Sequence, residues 1–311
     1  MPFENPVVFV CGATGSQGGA VAHQLRALDW TVHTTVRNLD SPAAKALKTA
    51  GVQLTQGDWD DDDALRASIE GCDKLFLCLY PNFADLTAEG RQAANILSIA
   101  KAAGVTQVVA STSLGVSQLD AKVHVRPGSF MEKHLTAKKA VEQAVVDAGF
   151  KHHTFLRPAF FMSNFVEPKV GRYPEVRDKG TWTVSMTAET LLPLIDHEDI
   201  GKAAVAAFRD PAKFDGKALG LASELLPIQE TLDQLSEAVG RPGSFGAIFM
   251  TDQDIAAQAN SNVLVNSEKT MRSMSEYVNL EELTELVGSL GTFRGFLERE
   301  RESVGRTYQV V

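Results

Sequence analysis

Three glycines carry the clearest chemical spacing in the chain. In VVFVCGATGSQGGAVAHQL, Gly12, Gly15 and Gly18 stand at GxxGxxG between a β-branched run, Val7–Cys11, and a stretch with helical apolar spacing, Gln17–Leu28. Such a turn directs the peptide N–H groups around Thr14, Gly15, Ser16 and Gln17 toward the positive end of a helix, where an anion is stabilised. Gly12 is expected to make the tight strand-to-helix turn. Gly15 lets backbone approach a diphosphate without a Cβ, and Gly18 lets the helix press on the sheet. The general dinucleotide fingerprint is GxGxxG, so the triplet departs from it; its weight comes from closing the first strand, opening a helix and leading into a βαβ unit.

About twenty residues on, at the end of a second strand, stands Arg37. A carboxylate there would take the adenosine ribose hydroxyls of NAD, whereas a guanidinium forks onto a 2′-phosphate, so the expected cofactor is NADP(H). Asn38 offers a further hydrogen bond and Lys45 lies one helical turn away. After the third strand, Asp58 and Trp59 in Gly57-Asp58-Trp59 fall where such folds approach the adenine edge; Asp58 either does so or caps a helix. Leu79, Tyr80 and Pro81, at the end of the fourth strand, are expected to flank the cofactor, with Tyr80 either lining the pocket or packing.

Positioning these groups requires strands and helices in alternation. Strands are predicted near Val7–Cys11, Thr31–Val36, Val52–Gln56, Lys74–Leu79, Gln107–Ala110 and His152–Leu156, and helices near Gln17–Leu28, Pro42–Ala50, Asp62–Ile69, Thr87–Ala103 and Met131–Ala148. That rhythm predicts an α/β Rossmann fold, a doubly wound parallel sheet. Ser41-Pro42 reads as a helix start, and Gly51, Gly71, Gly104 and Gly149 as helix stops. After about Val166, prolines and glycines interrupt the pattern. We therefore expect an NADP(H)-binding domain over 1–166, rejoined by part of the chain near 190–222, and a smaller C-terminal α+β lobe over 167–311 that holds a substrate or a partner.

Composition removes several classes. The net charge of −9 with no basic run argues against direct nucleic-acid binding. No apolar stretch reaches the roughly 18 residues of a membrane span, and Met1–Pro6 lacks a signal-peptide plan, so a cytoplasmic protein is expected. Cys11, Cys72 and Cys78 form no CxxC pair, and His152 and His153 alternate faces on a strand, so no metal site is expected. Asp196-His197-Glu198-Asp199 is read as a helix entry rather than a ligand set. Cys11 and Cys78 end neighbouring strands and are the one pair for which a redox role is conceivable.

With the glycine loop, Arg37, Gly57-Asp58 and VVASTSLGV in place, the sequence resembles the NmrA-like group of atypical short-chain dehydrogenases/reductases. The resemblance continues through HLTAKKAVEQAV, RPAFFMSNF, PLIDHEDIGKAAVAAF and LEELTELVGSLGTFRGFLE. It implies NADP(H) binding and one of two activities: an NADPH-dependent reductase transferring hydride to an activated C=C, C=O or C=N bond of a small apolar molecule, or a non-catalytic redox sensor that regulates a partner protein. Ordinary short-chain reductases place Tyr-x-x-x-Lys on one helix face. Here His134 replaces tyrosine and Lys138 remains, which implies Lys138 on the nicotinamide ribose, His134 as proton relay, and Ser113 at the serine position with Ser111 and Thr112 as alternatives. Phe161, Met162, Ser163 and Asn164 are implied to border the nicotinamide. Phe160, Phe161 and Phe165 form either an apolar wall of that pocket or plain core.

Overall fold

The computed structural model describes residues 5–122, 125–259 and 261–309. Its first half follows the predicted alternation with one unpredicted helix, Gly115–Ala121: β1 (Val7–Val10), α1 (Ser16–Ala27), β2 (Thr31–Val36), α2 (Pro42–Thr49), β3 (Gln53–Gln56), α3 (Asp62–Ile69), β4 (Lys74–Cys78), α4 (Ala88–Ala102), β5 (Gln107–Ser111), α5 (Gly115–Ala121), α6 (Phe130–Ala148) and β6 (His152–Pro158). These strands lie in one sheet in the order β6-β5-β4-β1-β2-β3, and a seventh strand, Ala218–Leu221, joins beside β6. The pairs β1–β2, β2–β3, β1–β4, β4–β5 and β5–β6 are all parallel. The fold is the Rossmann type, with its order reversing between β1 and β4, where such sheets bind ligands.

Local chemistry sets the element ends. The Ser41 side chain accepts from Ala44 N with Pro42 at the first helical position, so α2 starts where the sequence places it. Gly51, Gly71, Gly104 and Gly149, with φ between +62° and +92°, end the helices before them.

Contacts group the chain into two units, Met1–Val116 with His134–Arg157 and Ile200–Leu219, and Ser117–Lys133 with Pro158–Asp199 and Gly220–Val311. In the first, alternate strand residues face opposite ways. Phe9, Cys11, Leu75, Leu77, Val108 and Ala110 pack with Leu65, Ile96 and Val145 from α3, α4 and α6. The intervening Val8, Val10, Phe76 and Val109 are equally buried. Each such large side chain withdrawn from water contributes about 1.5–3 kcal/mol. A Cβ on Gly201 would meet the Gln24 amide at 2.5 Å, so a glycine is needed where helix His197–Arg209 approaches α1.

The second unit has its own core, in which Phe160, Phe165, Trp182, Phe293 and Phe296 pack with Leu192, Leu232 and Leu235. It includes a three-stranded sheet, Glu224–Pro227, Leu191–Ile195 and Phe160–Phe161, and a two-stranded one, Thr181–Val184 with Gly246–Phe249. At the entry of helix His197–Arg209, Asp196 Oδ1 accepts from Glu198 N, while both Asp196 oxygens take Arg299 at 2.7 and 2.9 Å. The acidic run thus starts a helix, as its sequence suggests, and also fastens a segment about a hundred residues away.

Candidate active site

The turn after β1 is built by backbone. Cys11 N reaches across to Phe76 O at 2.9 Å, Gly12 turns with φ +66°, and Gly15 N closes the loop on Gly12 O at 2.9 Å. Gly15 is the N-cap of α1 and brings no side chain to answer the first-turn N–H groups, which is how helix starts that receive phosphate are made. Thr14 and Gly15 are exposed, while Ser16 and Gln17 are half-buried. A Cβ on Gly18 would sit 2.5 Å from the Gly12 carbonyl and 2.6 Å from Cys11 O, so only glycine lets α1 lean on the turn. Trp59 lies alongside: its Cζ2 is 3.7 Å from where a Cβ of Gly12 would be.

Arg37 leaves the tip of β2 into solvent, and among the described residues its guanidinium makes no hydrogen bond or ion pair. It lines a cleft of about 610 Å³ with Thr35, Asp58, Trp59, Tyr80 and Phe83. Asn38 Oδ1 accepts from Asp40 N at 2.8 Å, and Lys45 pairs with Asp40 at 3.4 Å, so both are engaged in the local turn. Of the two readings open for Asp58, helix capping belongs to Asp61, which accepts from Ala64 N. Asp58 instead accepts from Asp60 N at 2.9 Å, at the cleft wall.

His134, Lys138 and Glu142 occupy one stripe of α6 at i, i+4 and i+8. Lys138 is buried, donating to Leu79 O at 3.1 Å and to the carboxylate of Glu89, itself buried at the start of α4. The helix stripe and the strand end expected to flank a cofactor therefore meet. His134 is half-buried with its ring centroid 6.3 Å from that of Phe83, whose ring lies edge-on to Tyr80 at 6.2 Å. Ser113 Oγ accepts from Gly115 N at 3.3 Å at the start of α5. The two alternative hydroxyls are engaged: Ser111 Oγ donates to Gln17 Oε1 at 2.6 Å and Thr112 Oγ1 to Glu142 Oε1 at 2.7 Å.

Phe161, Met162 and Asn164 belong to the second unit. Met162 is completely buried in its core beside Phe160 and Phe165, which settles those two phenylalanines as core. Phe161 and Asn164 are half-buried, and Lys169 Nζ stands 5.2 Å over the Phe161 ring.

Comparison with known proteins places this arrangement. Residues 4–292 match the NmrA-like family. The chain belongs to the NmrA-like family. It is similar to an NAD(P)H azoreductase from Xenophilus azovorans, 29% identical over 247 residues that cover 78% of each protein. In structure it resembles the triphenylmethane reductase of Citrobacter sp. in complex with NADP(H), with a TM-score of 0.70 at 20% identity over 94% of this chain and 99% of the other. It also resembles NmrA, a negative transcriptional regulator, in complex with NADP, with a TM-score of 0.73 at 19% identity over 98% and 99%.

This NmrA-like chain holds several residues at the site that spacing alone did not single out. Glu89 lies 49 positions from Lys138, and no local pattern joins them. Glu142 receives Arg157 through two hydrogen bonds, Nε at 3.0 Å and Nη2 at 2.7 Å, and Thr112 through a third. This buried cluster joins α6 to the ends of β5 and β6. Its one sequence trace is the i+4 spacing of Glu142 from Lys138. Cys11 is fully buried, and burial holds its thiol far above the usual range, which suppresses the thiolate that redox chemistry needs. Among the described residues no cluster of His, Cys, Asp or Glu is arranged for a metal, and no helix is long and apolar enough to cross a membrane.

Proposed function

We propose that this NmrA-like chain is an NADPH-dependent reductase of small, flat, conjugated molecules. The observation that carries the reading is Arg37: a guanidinium unpaired among the described residues, at the tip of β2, in a roomy cleft beside a glycine turn that caps a helix with no side chain.

The donor set fits a phosphorylated dinucleotide. Backbone N–H groups from Gly12 through Gly18, with Thr14, Ser16 and Gln17, would hold the diphosphate. Arg37 would fork onto the 2′-phosphate, with Asn38 beside it. Asp58 and Trp59 would meet the adenine, and Leu79, Tyr80 and Pro81 would line the path beyond. When bound, the cofactor supplies hydride.

The chain's own residues would orient and protonate. With its charge balanced by Glu89, Lys138 acts as a fixed donor: two N–H groups go to Glu89 and Leu79 O, and the third serves a ribose hydroxyl. His134, of a residue type that exchanges protons near neutral pH, would deliver a proton to the reduced product, and Ser113 would donate its hydroxyl hydrogen. Tyr80, Phe83 and His134 present a row of rings to a flat apolar substrate. Relatives named for reducing azo and triphenylmethane compounds support that class.

Calorimetry should show NADPH bound more tightly than NADH. Arg37→Ala should weaken NADPH by about 1.5–3 kcal/mol, the worth of charged hydrogen bonds, and leave NADH nearly unchanged. Equal losses for both cofactors would refute the assignment. A panel of azo and triphenylmethane dyes, quinones, enones and imines should reveal NADPH consumption; none above background would count against the reductase.

The absent tyrosine and the burial of Lys138 against Glu89 favour a second reading, a non-catalytic NADP(H) sensor that regulates a partner protein. Lys138→Ala separates the two. A reductase loses turnover, whereas a sensor loses the dependence of partner binding on NADPH against NADP+.

A further inference from the structure

The second unit encloses a cavity of about 370 Å³, at the small end of the range typical of small-molecule sites. Trp182, Tyr173, Val176, Leu264 and Val265 form the apolar and aromatic part of its wall, and Arg172, Glu175, Thr183, Gln258 and Asn262 the polar part. One polar residue of the lining is buried. Glu268, from helix Val263–Met271, is 4% exposed, and among the described residues no lysine, arginine or histidine pairs with it. Ser185 N donates to it at 3.0 Å and the Trp182 side chain adds a hydrogen bond. Three other charged side chains lie nearby. Arg272, one helical turn on, gives its guanidinium to Ser185 O, Glu175 pairs with Lys179, and Arg172 is exposed.

A buried carboxyl with no cation is rare, because burial without a partner penalises its charge. Two donors leave acceptor sites unused on a group with about four. A ligand carrying a positive charge would complete the arrangement, and the aromatic walls favour a flat body and tolerate a cation over their faces.

We propose that this cavity binds a small aromatic amine in its protonated form, with the ammonium on Glu268 and the ring against Trp182 and Tyr173. The site lies wholly within the second unit and does not depend on the reading of the dinucleotide cleft.

Phenethylamine and tryptamine serve as probes, with 2-phenylethanol and 3-phenylpropionate as uncharged and anionic counterparts. Calorimetry and thermal shift on the full chain should detect the amines and not the counterparts. Glu268→Gln should weaken amine binding about tenfold or more, as expected for loss of a charge-assisted hydrogen bond. Leu264→Trp, at a partly exposed wall position, keeps Glu268 and should block entry, which covers the case in which E268Q folds poorly. No amine binding to the parent chain, equal binding of 2-phenylethanol, or undiminished binding in both variants would overturn the proposal.

Discussion

Glu268 also makes a prediction about stability that needs no ligand. Burial, the largest effect, pushes its carboxyl up from 4.5 to about 7, against the smaller lowering by Ser185 N and the Trp182 side chain. The folded chain therefore keeps this proton in a window where the unfolded chain has released it. Below about 4.5 both states hold the proton and the group costs nothing. As pH rises from there to about 7 the folded state is progressively penalised, and above 7 the penalty is complete. At roughly 1.4 kcal/mol per pH unit between the two values, the penalty is roughly 3 kcal/mol. Glu268→Gln has no proton to lose and escapes it. The neighbouring Tyr173 hydroxyl, itself raised by burial, stays protonated throughout and does not confound the window. Comparing the variant with the parent at pH 8 and again at pH 5 cancels any pH-independent cost of the amide. For a chain of this length the difference in Tm shift between the two pH values should be about 4–6 °C in favour of the variant at pH 8. Tm read by circular dichroism provides the test. Parallel pH profiles for parent and variant would refute the idea that this carboxyl is strained by burial.

Gly18→Ala places a methyl 2.5 Å from the Gly12 carbonyl, so backbone must move. A loss of about 1–3 kcal/mol is expected from denaturant titration, together with a larger loss of NADPH affinity by calorimetry, because the displaced turn is the proposed anion cradle. Glu89→Ala leaves the Lys138 ammonium buried without a counter-charge and should cost about 3–5 kcal/mol. The double variant Glu89→Leu with Lys138→Met should recover most of that stability without recovering NADPH turnover. Recovery of both would remove Lys138 from the site.

What the sequence made legible was local. The glycine turn, the cap at Ser41-Pro42 and the glycines that stop four helices are each specified by residues within a few positions of one another, and each stands where its chemistry requires. Arg37 was legible because strand length fixes where β2 must end. Asp58 and Asp61 show the limit of such reading. Both are carboxylates before the same helix, and three residues decide which one caps it. The partners of Lys138 and Asp196 come from 49 and 103 positions away and those of Glu142 from 15 and 30, and a single sequence carries no mark of which distant side chain will arrive. Phe160 and Phe165 were equally ambiguous, because an apolar run looks the same whether it faces a ligand or other side chains.

The clamp of Glu142 by Arg157 and Thr112 gives α6 the character of an indexed shaft. Two of the stripe's three members, at 138 and 142, are keyed to separate strand ends, so neither rotation nor a one-residue slip of the helix is tolerated. The third, at 134, is read out at a fixed height above them and lies outside the buried cluster. Under the proposed function, a lineage with this layout is free to exchange histidine for another proton-handling side chain there, altering its chemistry while its scaffold stays still.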